Sequence, residues 1–141
     1  MSRQTQAAPM KVALRHEKPQ GRQVDGVHEK NLGFDVRSLG PADPQTGYRD
    51  PVDGIRRIAV KGRKRGQPIR LTTNEWYKAT QPGDSYWLYV VWDPLDKPEP
   101  EPLRIRNPSK ELDHAKKEVI AARYYDMSAQ AVEQAAIQQG L

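Results

Sequence analysis

Seven basic side chains, Arg56, Arg57, Lys61, Arg63, Lys64, Arg65 and Arg70, crowd one short segment that holds no acid. Such a run is either a solvated strand edge and loop or a surface that neutralises phosphates. Phosphate contacts of this kind would position a nucleic acid without reading its bases. Arg56, Lys61, Arg63, Lys64, Arg65 and Arg70 are the candidate contacts. Two acids upstream, Glu17 and Asp35, stand where their neighbours make them unusual. Glu17 continues the apolar stripe Met10, Ala13, Leu14 at helical spacing. A carboxylate on a core-facing stripe needs a partner, a metal or a raised pKa; otherwise Glu17 lies at the frayed, solvent-facing end of its helix. Asp35 sits in the apolar alternation of "FDVRSL", against strand propensity. It is either an edge or turn-capping residue, or a functional acid.

The elements around these residues follow from their patterns. Pro9 suits a helix start, giving a helix over 9–18 that Pro19 and Gly21 end. Residues 22–28 make a short strand, and "FDVRSL" a second, with Asp35 and Arg37 opposite Phe34 and Val36. The proline- and aspartate-rich stretch 40–54 is a loop between antiparallel strands. In "IRRIAVKGR", Ile58 and Val60 alternate with Ala59 and Lys61, so the latter two share a face. "QPIRL" reads as the short antiparallel neighbour of this strand. Thr72 and Glu75 form a T-x-x-E capping box at a helix start, the preferred role for Glu75. "SYWLYVVW" is apolar on both faces and predicts a central strand whose aromatics are core. "LRIR" adds an edge strand, Asn107-Pro108 starts a helical turn, and "EVIAARYY" fits strand or helix. Ser128 caps a last helix that Gly140 ends. The expected architecture is α/β, a mixed β-sheet flanked by helices, on which Glu17, Asp35 and Lys61 converge at a cleft beside the basic loop. One domain spans 1–141: the N-terminal helix, a core over 22–108 and a C-terminal extension over 109–141.

The 141 residues contain no cysteine, which excludes disulfides and thiolate metal sites and fits a reducing, cytoplasmic setting. His16, His28 and His114 lack metal-ligand spacing. No apolar run is long enough to span a bilayer, and the start lacks a secretory h-region. Net charge is +5, and its uneven distribution matters more than its sum.

The stretches "GRQVDGVHEKNLGFDVRSL", "IRRIAVKGR", "IRLTTNEWYKA" and "GDSYWLYVVWDP" together resemble the Protein NO VEIN C-terminal domain family across roughly residues 15–108. That family is related to the PD-(D/E)XK nucleases and is often attached to helicases. The resemblance implies a restriction-endonuclease-like core, with Gly33-Phe34-Asp35-Val36-Arg37-Ser38 similar to "GYDI.S" and Leu71 to Trp76 similar to "LT.NEW". Ile58 to Arg63 is similar to "IEVKGR", except that Ala59 stands in the glutamate's place. It implies catalytic positions Glu17, Asp35, Ala59 and Lys61, and metal ligands Glu17, Asp35 and the Val60 carbonyl. In such enzymes carboxylates hold Mg²⁺ against the scissile phosphate, and a lysine orients the attacking water. Alanine offers no oxygen, so Mg²⁺ is expected to be weakly held or absent and cleavage lost. Natural loss and a silencing Glu→Ala substitution both account for Ala59. The expected partner is nucleic acid, DNA before RNA, within a helicase or phage-defence assembly. The alternative is a non-catalytic protein-interaction module with an exposed apolar patch on the C-terminal helix.

Overall fold

A computed structural model describes residues 3–27, 32–120 and 125–140. Helix α1 (Arg3–Glu17) leads through a 3₁₀ turn at Lys18–Gln20 into β1 (Gln23–Gly26), β2 (Val36–Leu39) and β3 (Ile55–Arg63). Helix α2 (Thr73–Thr80) then crosses to β4 (Tyr86–Trp92), and β5 (Leu103–Arg106) precedes a short α3 (Pro108–Glu111). Helix α4 (Ala129–Gln138) closes the chain. The five strands form one mixed sheet in sequence order, with β3 and β4 parallel and every other neighbouring pair antiparallel. This is the expected α/β arrangement of a mixed sheet flanked by helices.

Strand phase sorts the core into two layers. Val36, Ile58, Val60 and Tyr89 meet Ala13 on the α1 side, with Met10, Leu14, Val24 and Trp87 packed around them. Phe34, Ala59, Tyr86, Leu88 and Val90 meet Ala79 on the α2 side. The alternation of β4 therefore matches its sequence pattern; Tyr86 and Tyr89 are fully buried core, and Trp92 and Trp87 are half-buried against the two layers.

Three local expectations change. Helix α1 begins at Arg3, so Pro9 lies inside it. Pro9 is buried against Gly62, where an added Cβ would stand 2.8 Å from the proline ring. That close packing offsets the lost N–H, and no other residue fits at Gly62 unless the helix moves. Residues 67–71 form no strand: β4 occupies one edge of β3, and on the other, beyond the end of β2, the Asp35 and Gln6 side chains take the polar groups of Val60. Ile69 and Leu71 pack instead onto the α2-side core. Finally, Phe34 and Val36 lie in opposite layers, since β2 starts only at Val36 and Gly33, with φ +83°, turns the chain just before it.

The capping box forms as expected. Thr72 Oγ1 accepts from the Glu75 N–H at 3.0 Å, and Glu75 Oε1 accepts from the Thr72 N–H at 2.9 Å. Thr72→Ala should cost about 1 kcal/mol, read as a lower urea midpoint at unchanged m-value. Ser128 caps α4 by accepting from the Ala131 N–H. Residues 118–120 adopt no regular structure, and the rest of the "EVIAARYY" stretch up to 124 lies outside the described residues. Among the described residues, no helix is long and apolar enough to cross a membrane.

Candidate functional site

Where β2 stops, β3 runs on without a backbone neighbour on that side. Beyond the Val36–Ile58 pair, the Asp35 N–H still donates to the Ile58 carbonyl at 2.8 Å. The next donor on β3, the Val60 N–H, goes to the Asp35 carboxylate at 2.7 Å. The Val60 carbonyl accepts from the Gln6 side chain at 3.4 Å. Both polar groups of Val60 thus receive side-chain partners, as buried backbone requires. Asp35 replaces a missing strand rung, which accounts for an aspartate at a position that propensity disfavours.

Ala59 and Lys61 share the face toward α2. Ala59 is fully buried in the apolar cluster there. The Lys61 ammonium donates to Glu75 Oε1 at 2.8 Å, and both side chains are mostly buried. Glu75 therefore holds the helix start and a lysine at once. Its inward direction is legible in part, since Glu75 and inward-facing Ala79 lie four apart on one helix face.

Glu17 lies on the other side of the sheet. Its carboxylate is fully buried and accepts from one Arg56 nitrogen with both oxygens, at 2.9 and 2.8 Å. Tyr89 donates to it at 3.0 Å, and the Arg22 guanidinium stands 3.6 Å away. The buried helical stripe is thus present, and the partner it demands is arginine. Burial, then the Glu17 charge, pushes the Tyr89 hydroxyl up to about 12, so it remains a donor well into the alkaline range. The structure brings Asp35, Ala59 and Lys61 together on adjoining positions beside and along β3, and it does not bring Glu17 to them.

Mg²⁺ needs hard oxygen donors in octahedral array. Of the donors implied for it, Glu17 is enclosed by arginines, the Val60 carbonyl accepts from Gln6, and Ala59 offers nothing. Asp35 gives one oxygen to Val60, and Glu75 is engaged by Lys61 and Thr72. Among the described residues no three His, Asp or Glu side chains group to hold a metal. This donor set does not fit a catalytic divalent cation.

The basic segment divides by what each side chain touches. Arg56 serves Glu17, Lys61 serves Glu75, and Arg57 donates to the Ser85 hydroxyl at 2.7 Å. Arg63, the last residue of β3, and Lys64, Arg65 and Arg70 on the loop from β3 to α2 are exposed. That loop is shaped locally: Arg63 donates to the Pro68 carbonyl, the Arg65 N–H to Asp93, and Gly66 supplies a φ of +90°. Its four side-chain charges have no acidic partner among the described ion pairs.

A second group of cations does not follow from the sequence pattern. Arg56, Arg104 and Arg106 lie 5.3, 5.7 and 5.8 Å from the centre of the Trp87 ring. The signal is present in "LRIR", whose two arginines share one strand face, but spacing cannot name their neighbour on β4.

The model of the family described as Protein NO VEIN, C-terminal, matches residues 6–105, from within α1 to β5. No curated protein and no solved structure matches the chain. The matched span covers nearly the whole sheet, the Asp35–Ala59–Lys61 edge and the basic loop, and on it the chain belongs to the Protein NO VEIN C-terminal family.

Proposed function

We propose that this chain is a nucleic-acid-binding domain with a PD-(D/E)XK nuclease-like core that does not cleave. The observation that carries this reading is the loop from β3 to α2. It presents Arg63, Lys64, Arg65 and Arg70 to solvent at the end of the strand that bears Ala59 and Lys61. In a nuclease of this kind the phosphate backbone passes that strand, and cations there would hold it. Position 59 would supply the metal's second carboxylate, and alanine removes it. Binding without hydrolysis is what remains, and Lys61 then acts as the counter-ion of Glu75. The family resemblance further supports a role beside a helicase or within a restriction or phage-defence assembly.

The test is the salt dependence of duplex DNA binding. Each phosphate neutralised contributes about −0.9 to the slope of log K against log salt. Reversing Arg63, Lys64 and Arg65 to glutamate should weaken binding and flatten that slope by about 0.9 for each phosphate no longer neutralised. Unchanged affinity would remove the loop from the reading. A second reading, a protein-docking module, is favoured by the exposed Ile120, Tyr125, Met127, Val132 and Ile137 of the C-terminal segment. Negligible affinity of the parent for any nucleic acid at physiological salt would select it.

A further inference from the structure

Helix α1 ends at Glu17, and beyond its end the sheet face toward it carries an unusual set of side chains. Trp87 is in register with Ile58 on one side and Arg106 on the other, and Tyr89 with Val60 and Arg104. All of these therefore project to the α1 side. Trp87 is half-buried, Arg104 and Arg106 are exposed, and Arg22 and Arg56 lie just behind them. Two carboxylates form ion pairs with these four guanidinium groups. Glu17 is enclosed by Arg56 and Arg22, and Asp53 pairs with Arg106 at 2.7 Å. Arg104 has no acidic partner among the described ion pairs, and after burial it is the main influence that lowers the His16 pKa, against the opposing pull of Glu17. Stacking on Trp87 offsets part of the mutual repulsion of these arginines. An anion would offset the rest.

Building on the proposed nucleic-acid function, we propose that this face is a second contact, selective for unpaired strand. Exposed guanidinium planes flanking an indole suit bases that are free of a duplex, because only unpaired bases offer their faces for stacking. Arg104 neutralises an adjoining phosphate, Arg106 staying held by Asp53 and the Asp84 carbonyl, and Trp87 or the Arg104 plane takes a base. A duplex keeps its base faces covered and gains only the charge term. The site lies at the Arg56 end of β3, whereas the basic loop follows Arg63, whose register partner is Trp92. The advance from Trp87 to Trp92 along β4 spans about 17 Å of strand.

Arg104→Glu tests this, since Arg104 is exposed on the edge strand and holds no acid in place among the described ion pairs. Binding of a homothymidine oligonucleotide and of a short duplex is measured by fluorescence anisotropy at one salt concentration. Homothymidine affinity is expected to fall about tenfold, and duplex affinity by a clearly smaller factor, the charge term alone. Quenching of tryptophan emission by homothymidine should be lost in Trp87→Phe. The inference is overturned if the parent binds homothymidine and Arg104→Glu binds it equally well. It is also overturned if polyglutamate competes as effectively as homothymidine, which would make the face a general anion surface. A parent that binds neither oligonucleotide would instead refute the nucleic-acid reading itself.

Discussion

Glu17→Ala is expected to lower the stability of the domain by about 3–5 kcal/mol, the range for removing one partner from a buried ion pair. The destabilisation arises from what stays behind. Arg56 and Arg22 are 17% and 9% exposed at their side chains, and without the carboxylate they face each other as like charges. The Tyr89 hydroxyl is deprived of its acceptor too. Glu17→Gln keeps the shape and an acceptor for Tyr89 but not the charge, so it should fall between parent and alanine. Urea unfolding followed by far-UV circular dichroism gives the difference directly. Because whole domains have only about 5–15 kcal/mol of stability, the alanine variant will be marginal at room temperature. Pairing Glu17→Ala with Arg56→Met should recover part of the deficit, and the double-mutant cycle isolates the coupling. A Glu17 serving mainly as a metal acid behaves in the opposite way, its removal leaving the metal-free domain as stable as before or more so.

The same residue shows how far the sequence can be read. Helical spacing puts Glu17 on the buried stripe of α1, and burial without a partner is prohibitive. Spacing cannot name the partner, because Arg56 is brought there by the pairing of β3 with its neighbours, 39 residues along the chain. Local rules serve well wherever the cause is local. The Thr72–Glu75 box, the two-faced phase of β4 and the shared face of Ala59 and Lys61 all follow from spacing of a few residues. They fail where a slot in the sheet decides. "QPIRL" has the composition of a strand, yet β4 takes one edge of β3 and the Asp35 and Gln6 side chains close the other beyond the end of β2. Pro9 has the look of a helix start, yet its contact with Gly62 carries α1 through it. Lys61 and Glu75 suggest separate roles in the sequence, and only the packing of α2 over the sheet makes them one ion pair.

Ala59→Glu separates a binding domain built on a nuclease core from one that merely resembles it. Ala59 is fully buried among apolar neighbours, in the cluster with Phe34, Tyr86, Leu88 and Val90. A longer, charged side chain there overfills a close-packed layer and gives up its hydration. In chelator the variant should therefore be less stable than the parent by about 3 kcal/mol. Two polar groups adjoin the position, the Asp35 carboxylate beside β3 and the Lys61 ammonium two residues along. If this edge retains nuclease geometry, the added carboxylate and Asp35 together become a metal site. Mn²⁺ at ten times its dissociation constant would then return about 1.4 kcal/mol, seen as a rise in melting temperature. The parent, whose donors are otherwise engaged, should show no such rise. Metal-dependent cleavage of plasmid by Ala59→Glu, abolished again by Asp35→Ala or Lys61→Ala, is the corresponding result in activity. A variant that is destabilised but indifferent to Mn²⁺ and Mg²⁺ would mean that this strand edge is a structural junction. Asp35 would then serve only as the rung that β2 fails to supply, and the nuclease ancestry proposed for the core would have no support here.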